Sequence, residues 1–118
     1  MRARPVVPFR VVRVEPPDGA RGVLRDDPIL LLLSGPVDAD RLGEAMVELR
    51  EAEGALPSRV ESLAGGRVLV LRALRRFSAG REHRLRVEGL RDALGHEAPP
   101  LDVRFVTGPV AGADFECG

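Results

Sequence analysis

Between residues 9 and 107 the chain is a succession of short apolar stretches, each broken by a turn signal before a stable helix could form. Residues 9–15 alternate, with Val12 and Val14 on one side and Val11 and Arg13 on the other, which predicts a strand. Pro16-Pro17-Asp18-Gly19 ends it, because proline removes a ladder donor and Asp-Gly favours a tight turn. Residues 28–34 predict a second strand, bracketed by Asp26-Asp27 and Gly35-Pro36. Across residues 38–54 two patterns overlap. Asp38 or Asp40 can cap a helix with Leu42, Met46 and Leu49 at helical spacing, whereas Val47 and Leu49 alternate with Glu48 and Arg50. One helical turn at 38–43 followed by a strand at 46–51 accommodates both. Further strands are expected at 56–63, 67–74, 82–87 and 101–107, with turns at Ala64-Gly65-Gly66 and at residues 77–80, and a loop at 89–100.

About seven strands at this spacing predict an all-β fold, an antiparallel sandwich of two packed sheets. A length of 118 residues fits one such domain. It is expected at 9–108, with an N-terminal arm at 1–8 and a C-terminal tail at 109–118.

Strand alternation then assigns the faces. With Ile29, Leu31 and Leu33 turned to the core, Leu30 and Leu32 face outward; with Leu69 and Leu71 inward, Val68 and Val70 face outward. The two strands are expected as neighbours in one sheet, so these four side chains, extended by Val11, predict an apolar outer patch. The opposite outer face is expected to carry Glu48, Arg50, Arg84, Arg86 and Arg104. Contiguous exposed apolar surface marks a protein interface. Burying four or five such side chains yields roughly 6–15 kcal/mol, against an association cost of about 4–15 kcal/mol. The patch therefore suits a repeated contact within an assembly.

Composition narrows the chemistry. Eighteen acids balance eighteen bases, so the basic surplus of a nucleic-acid binder is missing. All eighteen bases are Arg; Lys, Asn, Gln, Tyr and Trp do not occur, as coding from a GC-rich genome would produce. The longest uninterrupted aliphatic run, Ile29 to Leu33, is too short to span a bilayer, and residues 1–9 hold no apolar run of signal-peptide length, so no membrane insertion is expected. Cys117 stands alone, which leaves no internal disulfide. Ser34, Ser58, Ser62, Ser78 and Thr107 carry no nucleophile signature, and Asp26-Asp27 flanks a proline as a turn former, so no catalytic residue and no cofactor is expected. Asp92, His96 and Glu97 share one loop, which leaves a metal- or glycan-binding alternative there without recognisable ligand spacing. His83 is expected as a core or corner histidine.

The segments VRVEPPDGA (12–20), PILLLLS (28–34), PVD (36–38), FSAG (77–80), HRLRVEG (83–89), GLRDALG (89–95) and VRFVT (103–107) together resemble the bacterial immunoglobulin-like domains of S-layer and other surface proteins. The resemblance covers residues 9–108. It implies an Ig-like sandwich serving as a non-enzymatic structural module, with a protein partner or self-assembly, at the cell surface or outside the cell. His83 stands where that family commonly has a corner-tethering Tyr, and His96 where an Asn often follows Gly. Periplasmic copper-carrying sandwiches share the Pro-Asp-Gly and Ser-x-Pro-Val elements but carry an N-terminal histidine that this chain lacks.

Overall fold

The computed structural model describes residues 8–52 and 54–109. Nine strands run in chain order: β1 Val11–Glu15, β2 Ala20–Val23, β3 Ile29–Leu33, β4 Met46–Glu51, β5 Gly54–Ala55, β6 Ser58–Leu63, β7 Val68–Ala73, β8 Glu82–Glu88 and β9 Leu101–Thr107. They form two sheets in the order β1-β3-β7-β6 and β2-β9-β8-β4-β5. The expected all-β sandwich is therefore present. Most of the N-terminal arm, most of the C-terminal tail and Cys117 lie outside the described residues.

Seven of these strands fall where the alternation placed them, and all seven pair antiparallel with one another. The ambiguous stretch resolves as a 3-10 helix at Ala39–Glu44 followed by β4. The Asp38 carboxylate caps that helix by accepting from the Asp40 N–H at 3.0 Å. The two unforeseen strands are short and depend on their partners. β2 pairs parallel to β9, anchored where the Gly19 N–H donates to the Arg104 carbonyl at 2.7 Å and the Gly108 N–H to Val23 at 2.9 Å. Asp18 adds a carboxylate acceptor for the Arg104 N–H at 2.9 Å. Gly19 turns the chain into β2 at φ +86°, a backbone state that only glycine adopts without strain.

Between the sheets lies one core. Ile29, Leu31, Leu33, Leu69 and Leu71 enter it from one sheet, and Leu49, Leu85, Val87, Val103 and Phe105 from the other. Phe9 and Phe77, each 1% exposed, close it from the connecting segments. Every inward position of β3 is buried and every outward one half-buried, the pattern of a central strand covered on one face only.

Candidate interaction face

On the four-stranded sheet, β3 and β7 lie side by side in antiparallel register, Leu30 opposite Val70 and Leu32 opposite Val68. Because Ile29, Leu31, Leu69 and Leu71 point into the core, these four residues share the outer face. The register sets them in a two-by-two block, of which Val70 is buried rather than exposed as expected. Leu30, Leu32 and Val68 are half-buried. Val70 is only 3% exposed; Leu30 and Glu61 lie opposite it on the two flanking strands, and Arg72 follows it along its own.

Val11 does not join the block. It pairs with Leu33 and packs against the core together with Val14. The cause is a β-bulge: the register shifts between Val11 and Arg13, so Val12 is an extra residue. Strict alternation across 11–14 breaks there, turning Val11 inward and leaving Val12 46% exposed. Leu63 at the end of β6 opposes Val68, is 51% exposed and extends the apolar row to the sheet edge. Its outward position follows from the same alternation once β6 is registered against β7.

Charges border the block on both sides. On β1, Arg13 lies opposite Leu32 and Glu15 opposite Leu30, and the Arg13 guanidinium pairs with Glu15 at 2.6 Å. On the far side Arg72 pairs with Glu61 at 3.5 Å. The other sheet shows a different surface, a lattice of paired ions. Arg84 pairs with Asp102, Arg50 with Glu48 at 3.1 Å and Arg86 with Glu88 at 3.2 Å. That lattice balances its charges where a more basic face was expected. Of the two sheets, only the β1-β3-β7-β6 sheet presents a contiguous apolar outer surface among the described residues.

Beneath the end of the sandwich lies an ionic cluster of which the sequence revealed only the histidine. Glu51 and His83 are both buried. The Glu51 carboxylate accepts from Arg75 at 2.9 Å, from the Ser78 N–H at 2.9 Å and from His83 Nε2 at 2.8 Å. His83 Nδ1 faces the Arg81 carbonyl at 3.1 Å, so each ring nitrogen lies against an oxygen acceptor. Burial alone would raise the Glu51 carboxyl, but Arg75, the Ser78 N–H and His83 outweigh it and hold it down at about 2. The imidazole stacks on Phe105 with ring centroids 5.3 Å apart and leans on Phe77 at 4.8 Å. His83 is thus a corner histidine, as expected. Its partner Glu51 was readable only as the next inward position after Val47 and Leu49.

In the 92–97 loop, Asp92 accepts from the Leu94 N–H at 3.0 Å, the His96 N–H at 2.8 Å and the His96 ring at 3.0 Å, while Arg91 pairs with Glu97 at 2.8 Å. Burial would raise the Asp92 carboxyl, yet the bonds from His96 lower it below the usual carboxylate range. The loop's ligand-type groups are engaged with one another or with Arg91. Among the described residues no group of three or more His, Cys, Asp or Glu is arranged to hold a metal. No helix among them is long and apolar enough to cross a membrane.

No family model matches the chain, and no curated protein matches it. Solved structures do. CopC from Methylosinus trichosporium OB3b is similar at TM-score 0.70 and 16% identity, over 86% of this chain and 94% of CopC. The S-layer protein SbsC is similar at TM-score 0.61 and 19% identity, over 86% of this chain but 14% of SbsC. PcoC, a methionine-rich copper resistance protein from Escherichia coli, is similar at TM-score 0.65 and 12% identity, over 84% of this chain and 97% of PcoC. Mycobacterial L,D-transpeptidases match as well, one of them over 40% of its length. These likenesses establish a β-sandwich of the Ig-like kind found in bacterial proteins.

Proposed function

We propose that the chain is a non-enzymatic structural and interaction module of the S-layer type, a subunit or decoration of a larger assembly that docks through its apolar outer sheet face. The observation that carries this reading is the accessible apolar run of Leu30, Leu32 and Val68 around the buried Val70, widened by Leu63, while the opposite face is a balanced ion lattice. Two things support the absence of catalysis. The buried carboxylate and imidazole, Glu51 and His83, spend their polar atoms on each other and on fixed structural partners. A cleft of about 560 Å³ beside them is lined by Arg50, Arg81, Glu82 and Arg84 without a serine, threonine or cysteine. The alternative of a metal or glycan held at the 92–97 loop has copper-related sandwiches of similar outline in its favour. It has only Asp92 and His96 as adjacent donors, and they are bonded to each other.

The test compares the chain isolated from its own cells with its Leu32→Arg variant by light scattering. Leu32 is half-buried on the outer face, so the variant is expected to fold and to run as a monomer where the parent runs as a larger assembly. Equal masses for the two would overturn the reading.

A further inference from the structure

The charges along β1 say which way round a partner would lie. On the outer face the sheet presents two rows across its strands: Arg13, Leu32, Val68 and Leu63, then Glu15, Leu30, Val70 and Glu61. A second copy can be laid on this face about a two-fold axis in the interface plane, and the axis can run along the strands or across them. With the axis along the strands, β1 of one copy covers β6 of the other. Glu15 then meets Glu61 twice and Arg13 meets the apolar Leu63 twice. With the axis across the strands, each strand covers its own counterpart and the two rows exchange. Arg13 then meets Glu15 twice, Leu32 meets Leu30, Val68 lies over the position of the buried Val70, and Glu61, paired with Arg72, meets Leu63 twice, so both axes set a charge on Leu63 and only the Glu15 contacts separate them.

We propose that this face docks on the same face of a second copy of this chain, about a two-fold axis running across the strands and set in register by reciprocal Arg13–Glu15 pairs. The proposal rests on the docking face argued above and names its occupant. A two-fold contact is self-complementary by construction. Here β1 carries opposite charges in the two rows that such an axis superposes, and like charges in the rival arrangement supply the discrimination. Area sets the strength. Four strands about 4.8 Å apart and five residues long at about 3.3 Å each cover roughly 300 Å² per copy, below the roughly 800 Å² per partner of a standard stable interface. The pair is therefore weak in dilute solution and suited to copies already held close within an assembly.

Sedimentation equilibrium of the purified full chain, from micromolar to millimolar concentration, tests this. The wild type is expected to show a reversible monomer–dimer equilibrium. Arg13→Glu and Glu15→Arg, both at exposed or half-exposed positions, are each expected to weaken it at least tenfold by placing like charges opposite one another. An equimolar mixture of the two single variants is expected to dimerise again, because each then meets the opposite charge on the other. Restoration in the mixture is the signature, since a merely structural effect of either substitution would persist there. A mixture that stays monomeric overturns the axis. A wild type that stays monomeric throughout overturns the second copy as occupant, and a dimer appearing only after deletion of residues 1–7 assigns the face to the chain's own arm and overturns it too; both leave the docking-face reading standing. Dimerisation unchanged in Leu32→Arg overturns this proposal and removes the face itself.

Discussion

At the scale of single residues the most consequential group is Glu51, a carboxylate with a side chain 2% exposed that bridges Arg75, the Ser78 N–H and His83. Its carboxyl sits at about 2 in the folded protein against 4.5 for an ordinary glutamate. A depressed folded value stabilises the native state above the unfolded value and loses that contribution as pH falls through the folded one. The contribution is on the order of 3 kcal/mol, fully present above pH 4.5 and draining away towards pH 2. Glu51→Gln leaves His83 and Arg75 without their anion, and it is expected to cost about 3–5 kcal/mol near neutrality. Urea unfolding at a series of pH values checks this: the gap between wild type and variant should narrow steadily from pH 4.5 to pH 2, and a constant gap would refute the assignment. The sequence showed half of this cluster. His83 was legible as a core or corner histidine because it shares the alternation of Leu85 and Val87 against Arg84 and Arg86. Glu51 was not, because a glutamate closing a strand is ordinarily solvated and only tertiary packing turns this one in.

At the scale of elements, the alternating pattern located β3, β4, β7 and β9 to within about a residue; side-chain period two and core burial agree in β3, β4 and β9, whereas in β7 Val70 is buried between Leu69 and Leu71. It could not see β2 or β5. Four residues with a glycine among them, and a two-residue strand, carry no period of their own. Nor could it see the bulge in β1, where Val11, Val12 and Val14 look equivalent and only pairing with β3 tells them apart. The bulge makes an unusual expectation. Deleting Val12 leaves Val11 opposite Leu33, Arg13 opposite Leu32 and Val14 opposite Leu31, a regular strand in the same register. Stability should therefore change by less than about 1 kcal/mol. Deleting Val14 instead draws Glu15 inward opposite Leu31, which removes a buried valine and buries a charge. That should cost about 2–4 kcal/mol or more. Chemical denaturation of the two deletions side by side decides it; equal losses would mean that the extra residue is not Val12.

At the scale of the molecule, one sandwich outline serves proteins as different as S-layer SbsC and the copper resistance protein PcoC, so outline cannot assign a role and surface chemistry must. Here the surface divides into an apolar sheet face, a balanced ion lattice and a loop whose Asp92 and His96 are bonded to each other at 3.0 Å. A metal drawn into that loop would have to break the Asp92–His96 bond and then find further donors. The fold itself reports whether this happens, because an ion that binds only the native state stabilises it by about 2.7 kcal/mol when present at 100 times its dissociation constant. For a domain of this size that shift raises the melting temperature by roughly 8–16 °C. Calcium, zinc and copper(II), each added at about 100 μM, are expected to leave the melting temperature within about 1 °C of the metal-free value, since a micromolar site would produce the full shift. Calorimetric scanning reads this directly, with His96→Ala as the control. A rise with any one ion that His96→Ala removes would transfer the function from the sheet face to the loop.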